Sequence, residues 1–313
     1  MKPTNETCTT PSAWVPTTHP LVNSISNEVN GWFLQRWPFP HAKDRKKFIA
    51  AGFSRVTCLY FPLARNDRIA HASKLLTILF LIDDLLEDMS LKDGKAYNNK
   101  LMKIAKGEAA PDPSIPVEWM FHEIWEGMRL ENTTLANSVL EPCSVFMRAQ
   151  TENLRKTINE LGEYMVYRER DVRSALLCTL MRFTMDLHLP PKDLAEVQPV
   201  EKNCAKHIAI ANDIYSWDKE FAQSQKSSEE GSVLCSAVKV MADNAGLGID
   251  SAKRVLWSMV REREAKHESL CAMLYAQDLT DAQGLYLQGL KYQMSGNELW
   301  SRTTPRYLVV EYF

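Results

Sequence analysis

Apolar residues return every three or four positions along most of this chain, with polar residues falling between them. That spacing matches the turn of an α-helix and not the alternation of a strand. Proline marks where the pattern stops, because it lacks a backbone N–H and clashes with the preceding turn. The pattern predicts a short helix from Val29 to Trp37, weakened by Gly31 and terminated by Pro38 and Pro40. A second helix is expected over Asp44–Phe61, stopped by Pro62, and a long amphipathic one over Asp67–Met89. Pro111, Pro113 and Pro116 mark an exposed connection. Beyond it come Val117–Arg129, Leu135–Leu161 with a kink at Pro142, and Arg170–Leu187, ended by Pro190 and Pro191. Val200–Gln223 is long and apolar on one side before Asn212, and Ser224–Gly231 reads as a polar loop. Val233–Asn244, Asp250–Ala276 and Asp281–Trp300 complete the run. Asn30-Gly31 and Asp93-Gly94 resemble turns but lack alternating flanks, so no hairpin is expected.

A run of helices without a boundary in its middle predicts an all-α chain folded as a single bundle. The 313 residues are 45% hydrophobic and 24% charged, an ordinary globular composition. The net charge of -2 gives no field that would gather nucleic acid or an anionic membrane. No apolar run approaches the ~18 residues needed to cross a bilayer. Residues 1–18 are rich in Thr and Pro without an apolar core, so a flexible tail is expected and no signal peptide. The seven cysteines form no CxxC pair and sit in apolar stretches, as reduced thiols of a cytoplasmic protein would.

Two acidic segments change the picture. Asp83-Asp84-Leu85-Leu86-Glu87 directly follows the apolar run Leu75–Ile82, where carboxylates are costly unless a cation compensates them. Asp83 is the expected metal ligand there, and Asp84 and Asp88 are expected to be a solvated helix end. In the second segment Asn212, Ser216 and Glu220 recur every four residues. On a helix they share one face over roughly 12 Å. Amide, hydroxyl and carboxylate oxygens are hard ligands suited to Mg2+. Lys219 lies beside Glu220, within reach of an anion that such metals would bridge. Two helices passing from apolar to acidic point to one pocket with acidic walls at its mouth.

These two segments resemble the aspartate-rich and NSE/DTE metal motifs of the class I terpene synthases. The strings Ala51–Pro62, Phe146–Thr151, Tyr167–Val172 and Tyr292–Trp300 are similar to the fungal sesquiterpene cyclases of the aristolochene-forming type, and the likeness runs from His19 to Tyr307. The resemblance implies the α-helical class I terpenoid synthase fold, a cyclase domain over residues 19–313 around a central apolar cavity. It implies farnesyl diphosphate as substrate and three Mg2+ ions bound with diphosphate. The implied product is a bicyclic sesquiterpene, aristolochene or a related eremophilane- or germacrene-derived hydrocarbon. By the same resemblance Arg168, Lys219, Arg306 and Tyr307 match diphosphate donors, and Tyr60, Phe80, Phe146 and Trp300 match the aromatic cavity wall. Asp83 matches the metal ligand of the first motif; Asn212, Ser216 and Glu220 match those of the second. A homodimer is also implied.

The chain departs from the family pattern at Arg65-Asn66, Asp88, Asp186 and His188, and at Ala209-Ile210-Ala211, where the two alanines are expected to widen the cavity wall. A chain-elongating prenyltransferase would need a second aspartate-rich motif in place of Asn212…Glu220, and a class II cyclase a DxDD string that is absent. A helical protein that binds an isoprenoid without turning it over is the non-enzymatic alternative, against which the intact metal motifs argue.

Overall fold

A computed structural model describes residues 11–152, 157–171, 174–226 and 230–308. Among these the chain forms α-helices and short 3-10 turns and no strand. The first helices are α1 (Val22–Arg36), α2 (Ala42–Ala51), α3 (Phe53–Tyr60), α4 (Ile69–Leu86) and α5 (Leu91–Ala105). They are followed by α6 (Pro116–Ser138), α7 (Leu140–Ala149), α8 (Leu161–Asp171) and α9 (Ser174–Met185). The last are α10 (Pro191–Lys226), α11 (Ala237–Ala245), α12 (Ile249–Tyr275) and α13 (Asp281–Thr303), then a 3-10 turn at Pro305–Tyr307.

Several elements differ from their sequence patterns for local reasons. The helix expected over Asp44–Phe61 is two, because Gly52 takes φ +67°, a left-handed conformation that ends α2 and begins α3. The pattern missed α5 altogether; its signal was the N-cap Ser90, whose hydroxyl accepts from the Asp93 amide at 3.1 Å. Pro142 makes no kink, since α7 starts at Leu140 and its first turn needs no N–H there. The helix expected as far as Leu161 stops at Ala149. α10 runs on to Lys226, so Ser224 is helical; residues 227–229 of the expected loop lie outside the described residues. So do residues 1–10 of the expected tail, but Trp14 packs edge-on against His267, with ring centroids 5.4 Å apart.

α10 is the spine of the bundle and packs on α12 and on α13, while α3 is held between α4 and α13. Its stretch Ile208–Ala211 is buried on every side, and most of α4 is buried too. Both helices turn polar at the same end, which brings their acidic segments together at the mouth of a cavity.

Candidate active site at the mouth of the helical cavity

The cavity lies among α3, α4, α7, α8, α9, α10 and α13, with the Pro305–Tyr307 turn at its rim. Tyr60, Leu76, Phe80, Phe146, Leu177, Ile208 and Trp300 supply its apolar lining. Asp83, Glu87, Gln150, Arg168, Asn212, Lys219, Glu220, Arg306 and Tyr307 supply the polar lining. Every residue predicted as a wall or a diphosphate donor therefore lines one cavity. Ala209 and Ala211 do not line it; they are buried in the core between Ile208 and Asn212, so they do not widen its wall.

Aromatic rings meet around the cavity. Phe80 stacks on Phe53 at 4.6 Å and lies 5.6 Å from Trp300, which meets Tyr307 edge-on at 5.4 Å. The Trp300 indole N–H donates to the Ala51 carbonyl at 2.9 Å, next to the Gly52 break. That bond explains how the α2–α3 junction holds the ring in place.

The acidic segment of α4 divides its labour. Asp83 accepts from the Gln150 side-chain amide at 2.5 Å. Asp84 is not the solvated helix end expected of it. Arg306 grips it with two bonds of 2.8 and 2.7 Å, and Lys219 adds a third at 3.3 Å. Burial would raise its pKa, but the Arg306 and Lys219 cations win and hold the carboxyl well below the usual range. Glu87 binds Lys219 at 3.0 Å, yet burial still leaves its pKa raised. Asp88 remains exposed.

On α10 the buried Asp213 anchors Arg168 at 2.5 Å and also accepts from Tyr164 and from the Ala237 amide. Arg168 donates to Asn212 Oδ1 at 3.3 Å, and Asn212 Nδ2 donates to the Tyr307 hydroxyl at 2.7 Å. Burial, then the Asp213 charge, pushes the Glu220 carboxyl up to about 7, against the pull of Arg168. Tyr307 is pushed up to about 12, chiefly by burial. Ser216 Oγ is buried beside Glu220 and makes no hydrogen bond of good geometry. An orphaned hydroxyl next to a carboxylate that burial disfavours is what a hard cation would satisfy. The donor set of Asn212, Ser216 and Glu220 thus fits a divalent metal.

Sequence reasoning misread Asp84 and passed over Asp213, Gln150 and Asn297. Asp84 and Asp213 sat inside the motifs; the other two carry no local signal. A different set of candidate ligands, His207, Glu264 and Glu298, lies outside the cavity lining. Arg261 already pairs with both of its carboxylates, the Glu298 one at 2.6 Å, so that cluster holds its own cation. Asp186, which departs from the family pattern, is backbone-strained at φ 56° and pairs with the buried Arg68 at 2.8 Å. It too lies outside the cavity lining.

Comparison with known proteins agrees with this geometry. Residues 74–266 match the family described as terpene synthase family 2, C-terminal metal binding, whose members use divalent metal. The chain is 53% identical to an aristolochene synthase of Aspergillus terreus, covering 96% of this chain and 94% of that protein. It is 51% identical to one from Penicillium roqueforti, covering 98% and 91%. The crystal structure of the Penicillium roqueforti enzyme superposes with a TM-score of 0.84 at 50% identity, covering 94% of this chain and 99% of that one. A cucumene synthase variant with 19% identity shares the fold at a TM-score of 0.78. The chain belongs to the terpene synthase family, in the branch that holds the fungal aristolochene synthases.

Proposed function

We propose that this chain cyclises farnesyl diphosphate, with Mg2+, to aristolochene or a related eremophilane- or germacrene-derived bicyclic sesquiterpene, releasing diphosphate. One observation carries the reading: the carboxylates Asp83, Glu87 and Glu220 and three cationic side chains meet at the mouth of an aromatic-walled cavity. Asp83, from one side, and Asn212, Ser216 and Glu220, from the other, would hold the metal, taken as three Mg2+ ions. Bound Mg2+ would neutralise charge developing on the leaving diphosphate and so favour heterolysis of its carbon–oxygen bond.

The chain's own residues supply the rest. Arg168 and Arg306 offer planar forks suited to phosphate oxygens, Lys219 a point charge, and Tyr307 a hydroxyl donor. Their carboxylate partners Asp213, Asp84 and Glu87 keep them in position. Tyr60, Phe80, Phe146 and Trp300 exclude water and present ring faces to the allylic cation, each contact worth roughly 0.5–2 kcal/mol. The released diphosphate is the base in this proposal.

The test is incubation with farnesyl diphosphate and Mg2+, with an EDTA control, followed by gas chromatography–mass spectrometry of the hydrocarbon extract. A metal-dependent bicyclic sesquiterpene is expected. Farnesol alone, or untouched substrate, would sink the proposal and favour an isoprenoid-binding protein without turnover.

The proposal includes a single cyclase domain over residues 19–313, preceded by a short tail that Trp14 ties down. It also includes a homodimer, which the family resemblance implies. The cytoplasm is the proposed compartment: the six described cysteines are all free, and no helix of the described residues is long and apolar enough to cross a membrane.

A further inference from the structure

A second cavity lies on the outer side of the Arg306–Asp84 pair, between the α1–α2 connection, α2, α4 and the Pro305–Tyr307 turn. Its volume is about 400 Å³. Small-molecule sites span about 300–1,000 Å³. Rings line this outer cavity. Phe39 lies 5.1 Å from Phe48, Phe48 lies 6.0 Å from Phe53, and Phe53 stacks on Phe80 at 4.6 Å. The first three face the outer cavity and Phe80 faces the inner one, so the Phe53–Phe80 stack is a partition between them. The outer cavity meets solvent at apolar edges, where Leu85 is 37% exposed and Leu308 54%.

Its inner end is charged. Lys219 and Arg306 line both cavities. The Arg306 guanidinium lies 5.3 Å from the Phe53 ring and 5.7 Å from the Phe80 ring, one ring from each side of the partition. Among the described residues facing the outer cavity, the cations Lys47, Lys219 and Arg306 stand against the carboxylates Asp44 and Asp84. Glu87, which also binds Lys219, faces only the inner cavity. An aromatic pocket with surplus positive charge at its end is complementary to an amphiphile with one apolar chain and an anionic head. The amphiphile of that kind that a sesquiterpene cyclase meets is its own substrate.

We propose that the outer cavity is a second binding site for an isoprenyl diphosphate, with the chain against Phe39, Phe48 and Phe53 and the head on Lys219 and Arg306. The inference rests on the reading of the chain as a sesquiterpene cyclase, which supplies both the ligand and the role of the two cations. A molecule in the outer site draws on the same cations as the molecule being ionised. Filling it therefore slows turnover in the inner site, and high substrate inhibits the enzyme.

The experiment uses Ala50→Trp. Ala50 is exposed, lines the outer cavity and does not line the inner one, so the indole fills the outer cavity from its rim. The probe is farnesyl thiodiphosphate, whose carbon–sulfur bond resists ionisation, titrated by calorimetry with Mg2+ below the concentration at which it forms micelles. Wild type should bind two equivalents and Ala50→Trp only one. Farnesol, which lacks the head, should fail to displace the second equivalent. With farnesyl diphosphate, wild-type turnover should pass through a maximum and fall as substrate rises. Ala50→Trp should rise to a plateau with unchanged kcat/KM. Circular dichroism reports whether the variant folds; if it does not, the wild-type stoichiometry decides alone. One equivalent in wild type, or two in folded Ala50→Trp, overturns the inference and leaves the cyclase reading standing. Displacement by farnesol overturns it too, because the cavity would then accept any apolar chain. A wild-type enzyme that binds no analogue and forms no sesquiterpene overturns the cyclase reading instead.

Discussion

Asn212, Ser216 and Glu220 share one face of α10, but their surroundings differ. Asn212 is tied to Arg168 and Tyr307, Ser216 is an orphan, and Glu220 is a carboxyl that burial pushes up to about 7. Removing one oxygen from such a set leaves a metal under-coordinated. Asn212→Ala is expected to lower kcat/KM by at least about a hundredfold. Diphosphate release measured across a Mg2+ series checks this; activity within a few-fold of wild type would refute the ligand assignment. Phe80 tests the other half of the site. It contacts Phe53 and Trp300 in the wall and carries no charge. Phe80→Ala should change the product distribution more than the rate of substrate loss, and an unchanged chromatogram would count against its role. At this scale the sequence was partly legible. Asp83 stood out as a candidate by its place after an apolar run and the α10 triplet by its spacing, whereas Arg168, Arg306 and the aromatic wall needed the family resemblance. Asp84 was misread because its partners lie 135 and 222 residues away.

The helices owe their positions to a few close approaches. Gly296 is one, where α13 touches the α3 backbone at Leu59. Backbone cannot shift as a flexible side chain can, so the added methyl of Gly296→Ala must force the helices apart. Such overpacking costs about 1–3 kcal/mol. Urea denaturation should show a lower midpoint with an unchanged slope, and a wild-type midpoint would mean that the contact is looser than the structure has it. Helix identity was largely legible, because amphipathic periodicity is local. Helix ends were not. The Gly52 break, the α5 helix and the short α7 depend on caps and left-handed turns that one or two residues control. Those signals are weak beside the apolar repeat.

Across the whole molecule, the site and the fold are linked through ligand binding. Mg2+ and inorganic diphosphate together should raise the melting temperature well beyond either alone. At ligand a hundredfold above its Kd the stabilisation is about 2.7 kcal/mol. Differential scanning fluorimetry measures it, and equal shifts with Mg2+ alone would argue against a shared diphosphate site. A separate pH response comes from the far end of the bundle. Burial lowers His267 from its ordinary 6.5 to about 4. Above 6.5 neither state holds the proton; between 6.5 and 4 only the unfolded chain does. Stability should therefore fall as pH drops through that window, with no further loss from this group below it. His267→Phe should flatten that slope in denaturation curves at pH 7 and pH 5; an unaltered slope would remove His267 as its source.

The sequence alone determined the helical class, the two acidic segments and the shared face of Asn212, Ser216 and Glu220. Each is a property of residues within a turn or two of one another, where helix geometry leaves little choice. Tertiary structure decided what those segments face. The Arg306 grip on Asp84 and the Tyr60–Asn297 bond join residues 222 and 237 apart in the chain. Such pairs exist only because α10 packs on α13 and α13 on α3, and packing on that range is invisible to local periodicity. The same packing turns a helix-end carboxylate into the holder of two cations.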